Sequence, residues 1–171
     1  VTKKSLISNW QREIKEHTNL AVGQLGIDRR QNYYSFHKPV ALYVAHYEAI
    51  LAEEERIETF TTLRRLGIIL DESHKIKNPT ARISGVFHRL SLRFKRRVVM
   101  TGSPIANRPY DLWSQIFFLD QGSSLGTNFG EFKQQFDIPK TDRMSHTSAI
   151  TNIEAQTSSP IESLFENRLF H

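Results

Sequence analysis

The 171-residue sequence predicts an α/β fold built around a mostly parallel sheet. Short apolar runs alternate along the chain with longer segments of helical periodicity, which is the pattern of βαβ units. Two of these runs, residues 67–70 and 97–100, are as short and apolar as strands buried on both faces of a sheet. Each run is followed directly by a polar cluster, D-E-S-H in the first case and T-G-S-P in the second.

The first part of the chain opens on a predicted helix at residues 5–17. Leu6, Trp10 and Ile14 recur there every four residues, with polar residues between them. Trp10 is therefore predicted to belong to the core. The predictions that follow in order are a strand at 20–25, a polar turn-like segment at 28–38, a strand at 40–45 and a helix at 48–66.

The second part continues the alternation after the strand at 67–70. Pro79 suits the first turn of a helix, which is predicted to run to about residue 93. A strand at 97–100 and a helix at 109–120 follow. Because connections between parallel strands are right-handed and ligands bind beyond the carboxyl ends of such strands, we expect both polar clusters at one edge of the sheet.

The chain is predicted to divide near residue 139. Residues 1–139 would form one lobe with its following helical segment. Residues 140–171 are rich in Ser, Thr and Asn and show little periodicity, so they predict a polar loop and the start of a further helix.

Charge points to a polyanionic partner. The net charge is +5, and no Asp or Glu occurs between Ser73 and Tyr110, a stretch that holds nine Lys and Arg residues. The same stretch could instead be a solvated basic face. No apolar run is long enough to span a membrane and there is no cysteine, so we expect a protein of the cytoplasm or nucleus, cytoplasmic if its source is bacterial or viral.

The adjacent carboxylates Asp71 and Glu72 carry the sharpest chemical hypothesis. An acidic residue directly after a buried strand holds magnesium in nucleoside triphosphatases, commonly through a water that the ion keeps. Asp71 fits that role, and Glu72 is then the candidate base that orients or deprotonates water. From the pair alone, a plain strand-to-turn transition in which Asp71 caps the next helix is strongly favoured.

Two longer motifs make the pattern specific. I-I-L-D-E-S-H-K-I-K-N-P resembles the second motif of the Swi/Snf-type branch of superfamily-two helicases, with Ser73 in place of the usual Ala. V-V-M-T-G-S-P-I-A-N-R-P-Y-D-L-W-S resembles the third motif, with Ser103 in place of Thr. The segments S-L-I-S-N-W-Q-R-E, V-A-H-Y-E-A-I and N-F-G-E-F-K-Q-Q-F are also similar to family segments, so the resemblance runs from Ser5 to about Phe136.

The resemblance implies a RecA-like lobe of three layers and a set of roles. Asp71 and Glu72 would serve Mg²⁺ and water, and His74 would relay the nucleotide state to a second RecA-like lobe. Thr101, Gly102 and Ser103 would couple ATP hydrolysis to the grip on double-stranded DNA. Ser5, Asn9, His46 and Tyr47 lie in segments that approach the nucleic-acid backbone in the family. Lys77 and Asn78 either contact phosphate or shape the turn.

The phosphate-binding loop of such ATPases has no counterpart in the sequence. None of the eight glycines is followed by Lys, so the pattern G-K-[ST] does not occur. We therefore expect an incomplete lobe without its phosphate-loop strand: a fragment of a DNA-dependent ATPase or translocase, inactive by itself. The alternatives are a degenerate, non-catalytic DNA-binding remnant and part of a restriction or repair motor.

Overall fold

The computed structural model describes residues 1–105 and 108–136 and confirms the α/β class. The predicted boundary near residue 139, the loop and the further helix lie outside the described residues. Between strands and helices run three short 3₁₀ segments, Lys4–Leu6, Ser73–Ile76 and Pro109–Leu112. The strands are β1 (Val22–Leu25), β2 (Leu42–Ala45), β3 (Gly67–Asp71) and β4 (Arg96–Met100). The helices are α1 (Ile7–His17), α2 (Arg29–His37), α3 (Tyr47–Ala52), α4 (Glu54–Leu63), α5 (Arg82–Ser91), α6 (Trp113–Asp120) and α7 (Phe129–Gln134).

Two predictions about the first part of the chain were wrong. The segment predicted to be turn-like is helix α2, which begins after Asp28, whose side chain accepts hydrogen bonds from the N–H groups of Arg30 and Gln31. The single helix predicted at 48–66 is divided into α3 and α4. The break lies at Glu53, whose side chain is fully buried beneath α2.

The strands pair in parallel in two short sheets, β1 with β2 and β3 with β4. Residues 1 and 2 lie between them. Thr2 forms a parallel bridge with His46 at the end of β2, and the N–H of Asp71 donates to the carbonyl of Val1 at 2.8 Å. The order across the lobe is therefore β1, β2, residues 1–2, β3 and β4.

Apolar side chains cover both faces of β2. On one face Val44 packs with Ile7 and Ile14 of α1. On the other, Ala45 joins the main core, which α3, α4, α5 and α6 share with β3. Its largest fully buried members are Tyr47, Phe87, Phe118, Leu70, Ile76 and Leu90. Helices on both sides of a parallel sheet are the layered arrangement that the sequence predicted.

The expectation that β3 and β4 are buried on both faces was wrong for one face. Ile68 and Leu70 point into the main core, whereas Ile69, Val98 and Met100 are 50%, 43% and 39% exposed. Among the described residues β4 pairs only with β3. No helix in the described part of the chain has the length and apolar character needed to cross a membrane.

Candidate ATPase and nucleic-acid site

The two polar clusters lie at one edge of the sheet, as predicted. The parallel register pairs Asp71, the last residue of β3, with Met100, the last residue of β4. D-E-S-H and T-G-S-P therefore leave neighbouring strands side by side, at the carboxyl ends where α/β proteins bind ligands. The Thr101 hydroxyl accepts a hydrogen bond from the Ser103 N–H at 3.2 Å, and Gly102 and Ser103 are exposed.

The Asp71 carboxylate is held through one of its two oxygens. Its Oδ2 accepts hydrogen bonds from the Thr2 hydroxyl at 2.7 Å and from the Trp10 indole N–H at 2.8 Å. No described residue donates to Oδ1. Trp10 is partly buried against the Ile7–Ile14–Val44 cluster, so the core prediction holds for its ring, but its N–H serves the site. A carboxylate fixed on one oxygen and open on the other suits a hard cation such as Mg²⁺.

Glu72 stands in an unusual backbone conformation. Its φ of 57° and ψ of 48° lie in the left-handed region, which costs a residue with a side chain roughly 1–2 kcal/mol. Its carboxylate lies near the side chains of Lys3 and His74. Lys3 Nζ lies 3.4 Å from Oε1, and His74 Nδ1 lies 3.2 Å from Oε2 without hydrogen-bond geometry. Non-glycine residues held in this way concentrate at functional sites.

His46 and Tyr47, predicted in the DNA-approaching segments, are both buried. The Tyr47 hydroxyl donates to the backbone carbonyl of Asp71 at 2.8 Å, and burial raises the pKa of Tyr47, with the charges of Asp71 and Glu72 adding to the effect. His46 caps α3 by accepting from the Ala49 N–H. These side chains support the site from within and offer little surface of their own to DNA.

An open depression of about 520 Å³ lies at the same edge. It is lined by Lys3, Lys4, Ser5, Tyr47, Glu48 and Lys75. Ser5 is exposed there, as a backbone contact requires, whereas Asn9 accepts a hydrogen bond from Arg12 one turn further along α1. A hydrogen bond from its own backbone and another from His46 lower the pKa of Glu48. The charged side chains that line the depression are therefore the carboxylate of Glu48 and the three lysines.

Lys77 and Asn78 shape the turn after D-E-S-H. Lys77 Nζ lies 3.3 Å from a carboxylate oxygen of Asp111, and the Asn78 side chain accepts from the N–H and hydroxyl of Thr80. Both contacts are internal to the lobe. They favour the turn-shaping alternative for these two residues over a phosphate contact.

Four residues at the site were missed from the sequence: Thr2, Lys3, Lys4 and Lys75. Lys75 lies in the acid-free basic stretch, which could have singled it out. Thr2 and Lys3 reach the site only because residues 1–2 pair beside β3, about seventy positions away in the sequence. No local periodicity records such a contact.

A parallel α/β lobe with an acidic pair and a hydroxyl-bearing loop at one strand edge has the layout of a RecA-like lobe. The chain belongs to the SNF2-related domain family, whose model matches residues 1–165. It is thus a Swi/Snf-type helicase-like domain, the family that the sequence motifs predicted.

Relatives and a solved structure agree with this assignment. The DNA repair and recombination protein RDH54 of Saccharomyces cerevisiae is 30% identical over 148 residues, covering 80% of this chain and 15% of the relative. The DNA excision repair protein ERCC-6-like of Danio rerio is 29% identical, covering 82% of this chain and 10% of the relative. The Sulfolobus solfataricus SWI2/SNF2 ATPase core in complex with dsDNA is similar over 78% of this chain and 26% of that chain, with a TM-score of 0.61 and 25% identity.

Proposed function

We propose that this lobe supplies the acidic half of an ATP-hydrolysis site and part of the DNA-contacting surface of a Swi/Snf-type translocase. The observation that carries the proposal is the Asp71 carboxylate, fixed on Oδ2 by Thr2 and Trp10 beside the left-handed Glu72. A residue that merely caps a turn does not need two side-chain donors from distant segments.

Each side chain then has a distinct task. Asp71 Oδ1 would hold Mg²⁺ through a bound water, and the ion supplies charge neutralisation on the phosphates. Glu72 orients the attacking water and accepts its proton, with Lys3 holding the carboxylate in place. His74, against Glu72, relays the state of the site towards the second lobe. Thr101, Gly102 and Ser103 couple it to DNA.

The test of catalysis uses the natural protein that contains these residues. Glu72→Gln removes the base and keeps the shape, so we expect DNA-stimulated ATP hydrolysis to fall at least 100-fold, the usual scale of general-base catalysis, while ATP binding is retained. The control is Glu55→Gln, on the exposed side of α4. Unchanged hydrolysis in the Glu72 variant would refute the proposal.

The DNA-contacting part of the proposal rests on the depression lined by lysines. Phosphate neutralisation by Lys3, Lys4 and Lys75 would release counterions, so binding should weaken steeply with salt. We expect Lys4→Glu with Lys75→Glu to lower the affinity of the 171-residue chain for a DNA duplex at least tenfold in fluorescence anisotropy. Lys15→Glu, which reverses an exposed charge on α1, is the matched control; equal losses from both changes would remove the depression from the interface.

We propose that the chain works as part of a longer parent with a phosphate-binding loop and a second RecA-like lobe. The chain spans 15% of RDH54, and the exposed apolar face of Ile69, Val98 and Met100 is suited to burial by a further segment. The 171-residue chain alone should show no ATP turnover above background. DNA binding without any ATP hydrolysis by the whole natural protein would instead indicate the non-catalytic remnant.

The names of the two relatives favour DNA repair as the task of the parent, acting on nuclear DNA. This favours the repair motor among the alternatives predicted from the sequence. Fluorescence microscopy of the tagged natural protein tests it: recruitment to nuclear foci after induced double-strand breaks is the expected result, and exclusion from the nucleus would contradict it.

A further inference from the structure

Two buried side chains that are hydrogen-bonded to each other connect the D-E-S-H and T-G-S-P motifs. Ser73, the third residue of D-E-S-H, is fully buried, and its hydroxyl donates to Oε1 of Gln115 at 2.6 Å. Gln115 lies on α6 and is 1% exposed. The hydroxyl exists only because Ser stands where the resembling motif usually has Ala, so this bond is a property of this chain.

The other end of the Gln115 amide reaches the T-G-S-P loop. Its Nε2 donates to the carbonyl of Pro104 at 2.8 Å and to the carbonyl of Asp111 at 3.2 Å. Each polar atom of this buried amide therefore has a partner. One side chain bridges the turn that carries Glu72 and the loop that carries Thr101 and Ser103.

Neighbouring contacts hold the same turn but do not extend to the loop. The hydroxyls of Ser84 and Ser114 both donate to the carbonyl of Ile76. They anchor the turn on α5 and α6. Gln115 differs because its amide continues from the turn to the exposed Pro104, so a shift of either motif moves or breaks one of its hydrogen bonds. The bond from Ser73 is buried, and a partner lost there is not replaced by water.

We propose that Ser73 and Gln115 are a positioning pair that sets the T-G-S-P loop against the D-E-S-H turn, and through it the coupling between hydrolysis and DNA. This coupling role rests on the proposed function above. The pair touches neither nucleotide nor DNA; it acts through the loop and the turn.

The first experiment measures the loop in the 171-residue chain without nucleotide. Ser73→Ala, Gln115→Met and the double variant are compared by native-state amide hydrogen exchange. We expect each single change to speed exchange of the Ser103 N–H about fivefold relative to strands β3 and β4, and the double variant to equal the singles, because one shared bridge is lost. Ser84→Ala, which removes a buried hydroxyl of α5 that donates to the same turn at Ile76, should leave the loop unchanged relative to the strands.

The second experiment measures coupling in the natural protein. Both single variants should lower the stimulation of ATP hydrolysis by DNA at least fivefold and leave the KM for ATP within twofold. An unchanged Ser103 exchange rate, or exchange that rises equally in the loop and the strands, would overturn the proposal. The proposal would also be overturned if the variants lost ATP hydrolysis by the same factor in the absence and in the presence of DNA. If Glu72→Gln hydrolyses ATP normally, the proposed function fails, while the exchange result still decides whether the bridge positions the loop.

Discussion

Glu72, the proposed base, has a strained backbone conformation, and the strain can be measured. Its left-handed φ of 57° is disfavoured by a β-carbon, and glycine carries none. We predict that Glu72→Gly is more stable than Glu72→Ala by about 1 kcal/mol in urea unfolding, although both changes remove the same carboxylate. Equal unfolding free energies would mean that the turn relaxes when the side chain is lost.

Trp10 supports Asp71 through a single indole N–H. Trp10→Phe keeps an aromatic ring against Ile7, Ile14 and Val44 but removes the donor to Oδ2. A hydrogen bond to an ionised carboxylate contributes roughly 1.5–3 kcal/mol, so we predict a loss of about 1.5 kcal/mol, since Thr2 keeps its bond. Unfolding followed by fluorescence of the buried Trp113 measures it.

A double-mutant cycle separates this hydrogen bond from packing. In an Asp71→Asn background the acceptor is no longer charged, and the cost of Trp10→Phe should fall by more than half. The same cost in both backgrounds would assign the effect of Trp10 to its ring alone, as the sequence prediction had it.

Helix α2 is attached to the lobe by a polar joint as well as by Phe36. Asn32 is 1% exposed, and its side-chain oxygen accepts a hydrogen bond from the Gly26 N–H at 2.8 Å. Its side-chain nitrogen donates to the Gly26 carbonyl at 2.8 Å and to Oε1 of the buried Glu53 at 2.9 Å. Arg56 approaches the other Glu53 oxygen at 2.9 Å. One side chain thus ties α2 to the end of β1 and to the break between α3 and α4.

Replacing Asn32 tests this joint. Asn32→Leu fills a similar volume but leaves a buried carboxylate and two backbone groups short of partners. We predict a loss of about 3 kcal/mol in the free energy of unfolding, measured by urea denaturation. Gln31→Leu, on the exposed side of α2, should change it by less than about 0.5 kcal/mol. Similar small effects of both changes would show that the apolar contacts of α2 suffice.

The stability of the whole lobe should depend on pH through His88. Burial lowers the pKa of His88 below its ordinary value of 6.5, against the opposing effect of the bond to the Ser114 carbonyl. The unfolded chain then binds a proton more readily than the folded one. His88 therefore costs no stability above its ordinary pKa, and stability is lost as the pH falls from there towards the folded-state pKa.

Thermal unfolding between pH 7.5 and pH 5 measures this contribution. We predict that the wild-type chain loses more stability over this range than His88→Gln, whose amide can still donate to Ser114 but does not titrate. The carboxylates common to both chains cancel in the comparison. If the stability of the wild-type chain and of His88→Gln changed with pH in parallel, the pKa of His88 would be the same in the folded and unfolded states.

The sequence by itself determined the class of the fold, most strand positions and the meeting of D-E-S-H with T-G-S-P at one sheet edge. Apolar periodicity reports which residues face a core, and parallel strands bring their carboxyl ends together whatever the details of packing. The Swi/Snf-type motifs identified the family for the same reason, since they are local in sequence. Helix α2 was missed because its buried face consists of Asn32 and Phe36, too little for an apolar stripe.

Only the tertiary structure decided what holds the site. Trp10 and Thr2 reach Asp71 from 61 and 69 positions away, and Gln115 reaches Ser73 from 42. A side-chain hydrogen bond leaves no periodic trace in either segment that it joins, so local sequence cannot assign the partner. The exposed face of Ile69 is likewise a tertiary property, because an apolar strand run is the same whether or not another segment covers it.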